Sequence, residues 1–276
     1  MSDFSDKALL PAGMCDVLPP DAEREAAASE RLLACFSARG YDRVKPPLIE
    51  FEKSLLGGSG AAMSSQTFRL MDPVSQRMMG VRADMTLQVA RIATTRLKNA
   101  PRPLRLGYGG QVLRIRGTQM RPERQFAQVG AELLGSWHPQ ADAEVILMAV
   151  EALTDLGVKD LSIDLAMPTL VPAILAKRDL DDDTRATLRV ALDHKDEAAV
   201  NGLSKQLGTE ACEHLTAMLR ATGPANAALA ALDKLKLPEG AAHERTALTK
   251  VIDNIRAAAP DLSLTVDPVE SRGLEY

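Results

Sequence analysis

Aromatic side chains are scarce in this sequence: Phe, Tyr and Trp make up 3% of it, with a single Trp. A core must therefore be built mostly from Leu, Val, Ala and Met, and an extended aromatic platform for stacking single-stranded bases is disfavoured. Cysteine is nearly as rare. Cys15, Cys35 and Cys212 lie far apart with no CxxC, and His138, His194, His214 and His243 are equally scattered. Cys212-Glu213-His214 is too short to supply a ligand set, so no metal site is expected. No uncharged apolar run approaches the roughly 20 residues that a membrane span needs. A Walker loop, GxGxxG, GxSxG, HExxH and an EF-hand are all missing, and no cofactor is expected. The opening MSDFSDKALL is acidic where a signal peptide would be basic, which with so few cysteines makes a reducing cytoplasm the expected compartment.

Net positive charge is also lacking. The 33 Lys and Arg are outnumbered by 37 Asp and Glu, for a formal charge of −4, which weighs against a dedicated nucleic-acid binder. Against that background one stretch is basic. Between Pro101 and Arg124 stand Arg102, Arg105, Arg114, Arg116, Arg121 and Arg124, with the single acid Glu123.

A chain of 276 residues can bury a large core and fits one or two domains. The pattern predicts a helix from Asp21 to Arg39, capped by Asp21, with Leu32, Leu33 and Phe36 inward and Gly40 as its stop. YDRVKPPLIEF reads as a strand broken at Pro46-Pro47, and LLGGSGAAMSSQ as a loop. TFRLMD and RMMGVR resemble a hairpin, followed by a helix over 86–97. Strands are expected over 104–116 and 125–134, joined by the Arg-rich connection, then a helix over 142–156 and a strand at LSIDLA. Consecutive strands mixed with helices favour an α+β fold with an antiparallel sheet over a βαβ repeat. From Pro168 to Ala259 the texture turns to Ala, Leu, Asp and Lys. Helices are expected there, broken at Asp179–Asp183, Gly208, Gly223-Pro224 and Pro238–Gly240, before strand character returns in LSLTVDP. The expected organisation is a core over 1–167, a helical insertion over 168–259, and a return to the core sheet over 260–276.

Three places could carry chemistry. In QFAQVGAELL the period is two, so Val129, Ala131 and Leu133 form one face and Gln128, Gly130 and Glu132 the other. A Gln and a Glu flanking a Gly can hydrogen-bond a small amine, although a half-exposed strand with a polar outer face has the same pattern. Arg114 and Arg116 alternate with Leu113 and Ile115 and would project from one strand face, where a guanidinium fork suits carboxylate or phosphate; surface arginine is the alternative. Arg121 and Arg124 read as surface loop residues. VRADMT sets Asp84 and Thr86 at a strand-to-helix junction, placed either to hold an amine or to cap the helix. Asp181-Asp182-Asp183 reads as the acidic start of a helix.

Taken in order, PAGMCDVLPPDA, PPLIEF, VRADMT, LGYGGQVLRIRGTQMRPERQFAQVGAELLG and SRGLEY resemble the catalytic core of class II histidyl-tRNA synthetases, from the N-terminal entry through motifs 1 and 2 to the histidine-specific segment. The resemblance implies the class II antiparallel sheet flanked by helices, with 168–259 in the place of the family's insertion domain and further core, including motif 3, beyond Tyr276. It also exposes departures. Arg114 keeps the first arginine of motif 2, but Arg116 stands where a synthetase has an ATP-contacting Glu. Ala127 replaces a His, and RPEGT has become Arg82-Ala83-Asp84-Met85-Thr86. The amino-acid positions survive as Asp84, Thr86, Arg114, Gln128, Glu132 and Arg272.

A lost ATP site beside a retained amino-acid pocket looks like the synthetase paralogues that regulate ATP phosphoribosyltransferase in the first step of histidine biosynthesis. That resemblance implies a non-catalytic histidine sensor, homodimeric through the motif 1 region and partnered by a short catalytic subunit. Glu132 and Gln128 would hold the α-amine, Arg114 the carboxylate, and Asp84 the amine or imidazole, with Arg272 nearby. A divergent synthetase and an RNA-binding paralogue using the arginine strip are the rival expectations.

Overall fold

The computed structural model describes residues 10–57, 63–119 and 121–270. The chain divides into two compact units. The first runs to Ser136 and takes in Glu151–Gly157; the second holds Trp137–Val150 and the chain from Val158 onward.

The first unit opens with α1 (Asp21–Ala38), whose buried residues are Leu33 and Phe36. The cap position is Pro20, and Asp21 is the first helical residue, accepting a hydrogen bond from Arg24 at 3.0 Å instead of capping the helix. The C-terminus closes as the sequence predicts. Gly40 takes φ +80°, and Gly40 N and Tyr41 N donate to the carbonyls of Ser37 and Phe36 at 3.0 Å each. This left-handed turn satisfies the last carbonyls, and glycine enters it without a Cβ penalty. The Pro46-Pro47 break then splits YDRVKPPLIEF into β1 (Asp42–Arg43) and β2 (Ile49–Phe51), which join different sheets.

After α2 (Glu52–Leu55) come β3 (Arg69–Met71) and β4 (Met78–Val81), an antiparallel pair with β2 on the other side of β4. Helix α3 (Thr86–Thr94) stops short of the expected Leu97. Strands β5 (Leu104–Leu113) and β6 (Gln125–Leu134) then pair over ten residues, with β1 running parallel to β5. Both faces of this pair are covered. Phe36 and Leu33 of α1 pack over Gly107 and Gly109, the face that also carries Val129 and Ala131 by register. On the opposite face Met85, Val89 and Ala93 form a core with Leu106, Tyr108 and Val112.

Helix α4 (Pro139–Asp155) contributes to both units. In the second unit, β7 (Ser162–Ala166) is followed by α5 (Leu170–Leu175), α6 (Asp182–Asp193), α7 (Glu197–Gly202), α8 (Ser204–Leu207) and α9 (Thr209–Ala221). The order continues through β8 (Gly223–Pro224), α10 (Ala225–Leu232), α11 (Glu239–Ala258) and β9 (Ser263–Asp267). Every expected helix break is a break. The chain also turns at Lys195, with φ +56°, ahead of an Asp196 cap. Asp181 caps α6, accepting from Thr184 N at 2.7 Å.

The fold is α+β, as expected, but its sheets are not purely antiparallel, since β1–β5 and β7–β9 are parallel pairs. Of the expected return to the core sheet over 260–276, the described part takes another course, and residues 271–276 lie outside the described residues. β9 pairs with β7 and β8 in a sheet of its own, so the unit boundary falls well before the change of texture at Pro168. The reason is long-range: β7 precedes the helices, β9 follows them, and their pairing draws both into one core with Leu165, Leu264, Val266 and Ile252. Among the described residues no helix is long and apolar enough to cross a membrane.

Candidate functional site

The segment between β4 and α3 crosses the face of β5–β6 that carries Gln128, Gly130 and Glu132. That face is therefore not a solvent face, and its polar residues meet the polar residues of VRADMT. Asp84 is 8% exposed. Its Oδ1 accepts from Thr86 N at 2.8 Å and its Oδ2 from Gln128 Nε2 at 3.0 Å. Gln128 Oε1 in turn accepts from Met85 N at 2.8 Å. These two bonds fix the amide orientation, because the flipped amide would set its NH₂ against an N–H and its oxygen against a carboxylate.

Tyr108 links the other half. Its hydroxyl lies 3.0 Å from Thr86 Oγ1 and donates to Glu132 Oε1 at 3.0 Å. Burial raises the Glu132 carboxyl above its ordinary range, the Tyr108 and Thr86 hydroxyls oppose that shift, and the charge of Asp84 adds to it. Burial likewise drives the Tyr108 phenol well above its usual value, so it stays protonated and able to donate. Among the described residues no Lys or Arg forms an ion pair with Asp84 or Glu132. Two partly desolvated carboxylates held by neutral donors make a site that a cationic group would complete.

Of the residues singled out in the sequence, Asp84, Thr86, Gln128 and Glu132 thus share one network, and Arg272 lies outside the described residues. Arg114 is adjacent, its Nε donating to the Ala83 carbonyl at 3.3 Å. The expected pairing of Arg114 and Arg116 on one strand face is corrected. β5 ends at Leu113, so Arg114 follows the strand, half-buried, while Arg116 is exposed in a bend. The ladder keeps register one step further, Arg114 N donating to Arg124 O, and stops there because Ile115 N turns to Gln66 O and Arg124 N to Gly13 O.

The other arginines are mostly engaged. Arg102 donates to Ala93 O and Arg121 stacks 4.5 Å from the Phe126 ring. Arg124, read from sequence as a surface residue, is half-buried. It donates to the carbonyls of Ala12 and Arg114 and lies 4.9 Å from the Phe68 ring. These bonds tie the PAGM segment to the loop and leave little of a free phosphate-binding strip.

Tyr108 was not evident as a site residue. The available signal was a lone aromatic among glycines, LGYGG, in a chain with 3% aromatics, but its role depends on the register that places it opposite Gly130. One cluster that sequence spacing hides is Cys35, Glu151 and Asp155, whose possible ligand atoms lie within 4.8 Å of one another. Guanidinium groups already stand there, with Arg39 paired to Glu151 and Arg31 donating to the Asp155 carbonyl.

A histidyl-tRNA synthetase family model matches residues 13–276. The chain is 58% identical to the ATP phosphoribosyltransferase regulatory subunit of Paramagnetospirillum magneticum, covering 100% of this chain and 72% of that protein. It is 56% identical to the protein of the same name in Rhodospirillum centenum, over 98% of this chain and 69% of that one. Among solved structures, an ATP phosphoribosyltransferase regulatory subunit/histidyl-tRNA synthetase from Bacillus halodurans superposes with TM-score 0.82 at 25% identity, covering 96% of this chain and 68% of the other. The chain belongs to the histidyl-tRNA synthetase-like proteins and, within them, to the family of ATP phosphoribosyltransferase regulatory subunits.

Proposed function

We propose that this chain acts as a non-catalytic regulatory subunit of ATP phosphoribosyltransferase in the first step of histidine biosynthesis, and that the pocket of Asp84, Thr86, Gln128 and Glu132 holds histidine as the feedback signal. The observation that carries the ligand assignment is the pair of partly buried carboxylates without a cationic partner among the described residues. An α-ammonium or a protonated imidazole supplies the missing charge. In this reading Glu132 takes the α-amine and Asp84 the amine or the imidazole. Gln128, whose oxygen already accepts from Met85 N, contributes its remaining N–H or a second lone pair. Arg114 receives the carboxylate; Arg272, expected nearby from the resemblance, lies outside the described residues.

In this reading the partner is a short catalytic subunit and the location is cytoplasmic; the regulatory-subunit name of the relatives supports a catalytic partner. A homodimer forms through the β2 region, where Leu48, Ile49, Met71 and Met78 are exposed at 46%, 37%, 58% and 43%. Histidine would couple to activity through different affinities for two states of the complex. Catalysis by the chain itself is disfavoured because Arg116 occupies the ATP-contacting Glu position and sits in an exposed bend.

Two measurements on the purified chain test the reading. Calorimetric titration with L-histidine is expected to give saturable binding, and histidine-dependent pyrophosphate–ATP exchange is expected to be absent. Robust exchange would establish a divergent synthetase instead.

A further inference from the structure

We propose that Tyr108 is the positioning residue that fixes Glu132 as an acceptor in this pocket, so that the site selects a ligand presenting a cationic N–H group. This rests on reading the pocket as an amino-acid site, but its core, the control of Glu132 by Tyr108, can be measured without ligand.

The geometry sets a direction. An ionised carboxylate only accepts hydrogen bonds, so the 3.0 Å contact between Tyr108 and Glu132 Oε1 spends the one phenolic proton. The 3.0 Å contact with Thr86 must then carry the Thr86 proton to the Tyr108 oxygen. Thr86 is held in turn, its backbone N–H donating to Asp84 Oδ1. The relay from Thr86 through Tyr108 ends on Glu132 Oε1, and the Thr86 hydroxyl also acts directly on that carboxylate, so both neutral hydroxyls hold Glu132 as an acceptor.

Gly130 makes the relay possible. It stands directly opposite Tyr108 in the β5–β6 register, and a Cβ there would lie 2.5 Å from the Tyr108 hydroxyl and 2.6 Å from Cζ. The phenol lies against bare backbone, and any larger residue at 130 would push it off the line to Glu132. The titratable groups that act on Glu132 are Tyr108 from β5 and Asp84 from the segment before α3. Tyr108 stays neutral, so only Asp84 adds charge.

The test follows the side-chain carboxyl ¹³C signal of Glu132, assigned by its loss in Glu132→Gln, across pH in the unsubstituted chain and in Tyr108→Phe. Removing the donor is expected to move the Glu132 titration up by about one pH unit. It should also weaken L-histidine binding at pH 7 about tenfold, with the deficit widening as pH falls. The titration of the ligand's own imidazole is common to both proteins and cancels in the ratio. Gly130→Ala should shift both readouts in the same direction while keeping the hydroxyl. A purely structural Tyr108 would lower the melting temperature and leave the Glu132 titration in place, and that result overturns the inference. If the titration moves but the unsubstituted chain binds no histidine, the positioning stands and the histidine reading falls. If histidine binds and the titration does not move, the reading stands and the inference falls.

Discussion

Glu132 shows at the scale of one residue how a group proposed to hold a ligand can work against its own fold. Burial raises its carboxyl above the unfolded-chain value of 4.5, so between those two values the folded state binds more protons than the unfolded state. Stability therefore falls as pH rises through that window, and at neutral pH the ionised carboxylate is a net burden on the ligand-free chain. Glu132→Gln removes the charge and keeps a carbonyl to accept from Tyr108. The expected outcome is a higher melting temperature for the ligand-free protein at pH 7 together with histidine binding weakened by roughly 10- to 100-fold, checked by calorimetry on the same preparation. A parallel loss of stability would mean that a cation already satisfies Glu132. Gln128 and Glu132 were legible in the sequence because the two-residue alternation of a strand is local. Tyr108 was not, because its function comes from a residue 22 positions away in the other strand.

At the scale of elements, caps and breaks carried most of the readable information. Asp181 accepts from Thr184 N, which holds its carboxyl below the usual 3.8. Its contribution is present above that ordinary value and is lost as pH falls through the depressed folded one. Asp181→Ala should lower the urea midpoint at pH 7, and the gap to the unsubstituted chain should close as pH falls below the ordinary Asp value of about 3.9.

The end of β9 shows an element whose anchor the sequence hides. Asp267, 8% exposed at its side chain, pairs with Lys195 at 2.6 Å and accepts from Thr222 Oγ1 and Val269 N. It thereby fastens the turn after α6 and the end of α9 to the sheet. Removing one partner of such a pair strands the other, so Asp267→Ala should cost about 3 kcal/mol, read from urea unfolding, and should expose the helical segment to limited proteolysis. Arg114 and Arg116 illustrate the opposite failure. Alternation placed them on a strand, and the bonds of Ile115 N to Gln66 O and Arg124 N to Gly13 O ended that strand first.

For the whole molecule, the relevant quantity is how the charge is used. A net −4 with 33 basic residues leaves scope for a basic patch, yet Arg102, Arg121 and Arg124 are spent on carbonyls and rings within the first unit. Fluorescence anisotropy with labelled tRNA is therefore expected to detect no binding that rises steeply at low salt. A strong salt-dependent rise would revive the RNA-binding reading. The partnership with a catalytic chain predicts a different result, co-elution of the two subunits in size-exclusion chromatography.

By itself the sequence determined the α+β class, the helix breaks, and the residue types of the Asp84–Gln128–Glu132 network, since each depends on local periodicity or on motifs read in order. Tertiary structure decided which strands pair across the helical stretch, where β5 ends, and that Tyr108 rests on Gly130 within reach of Glu132. Those outcomes depend on contacts between residues far apart in the chain, whose energies no local pattern encodes.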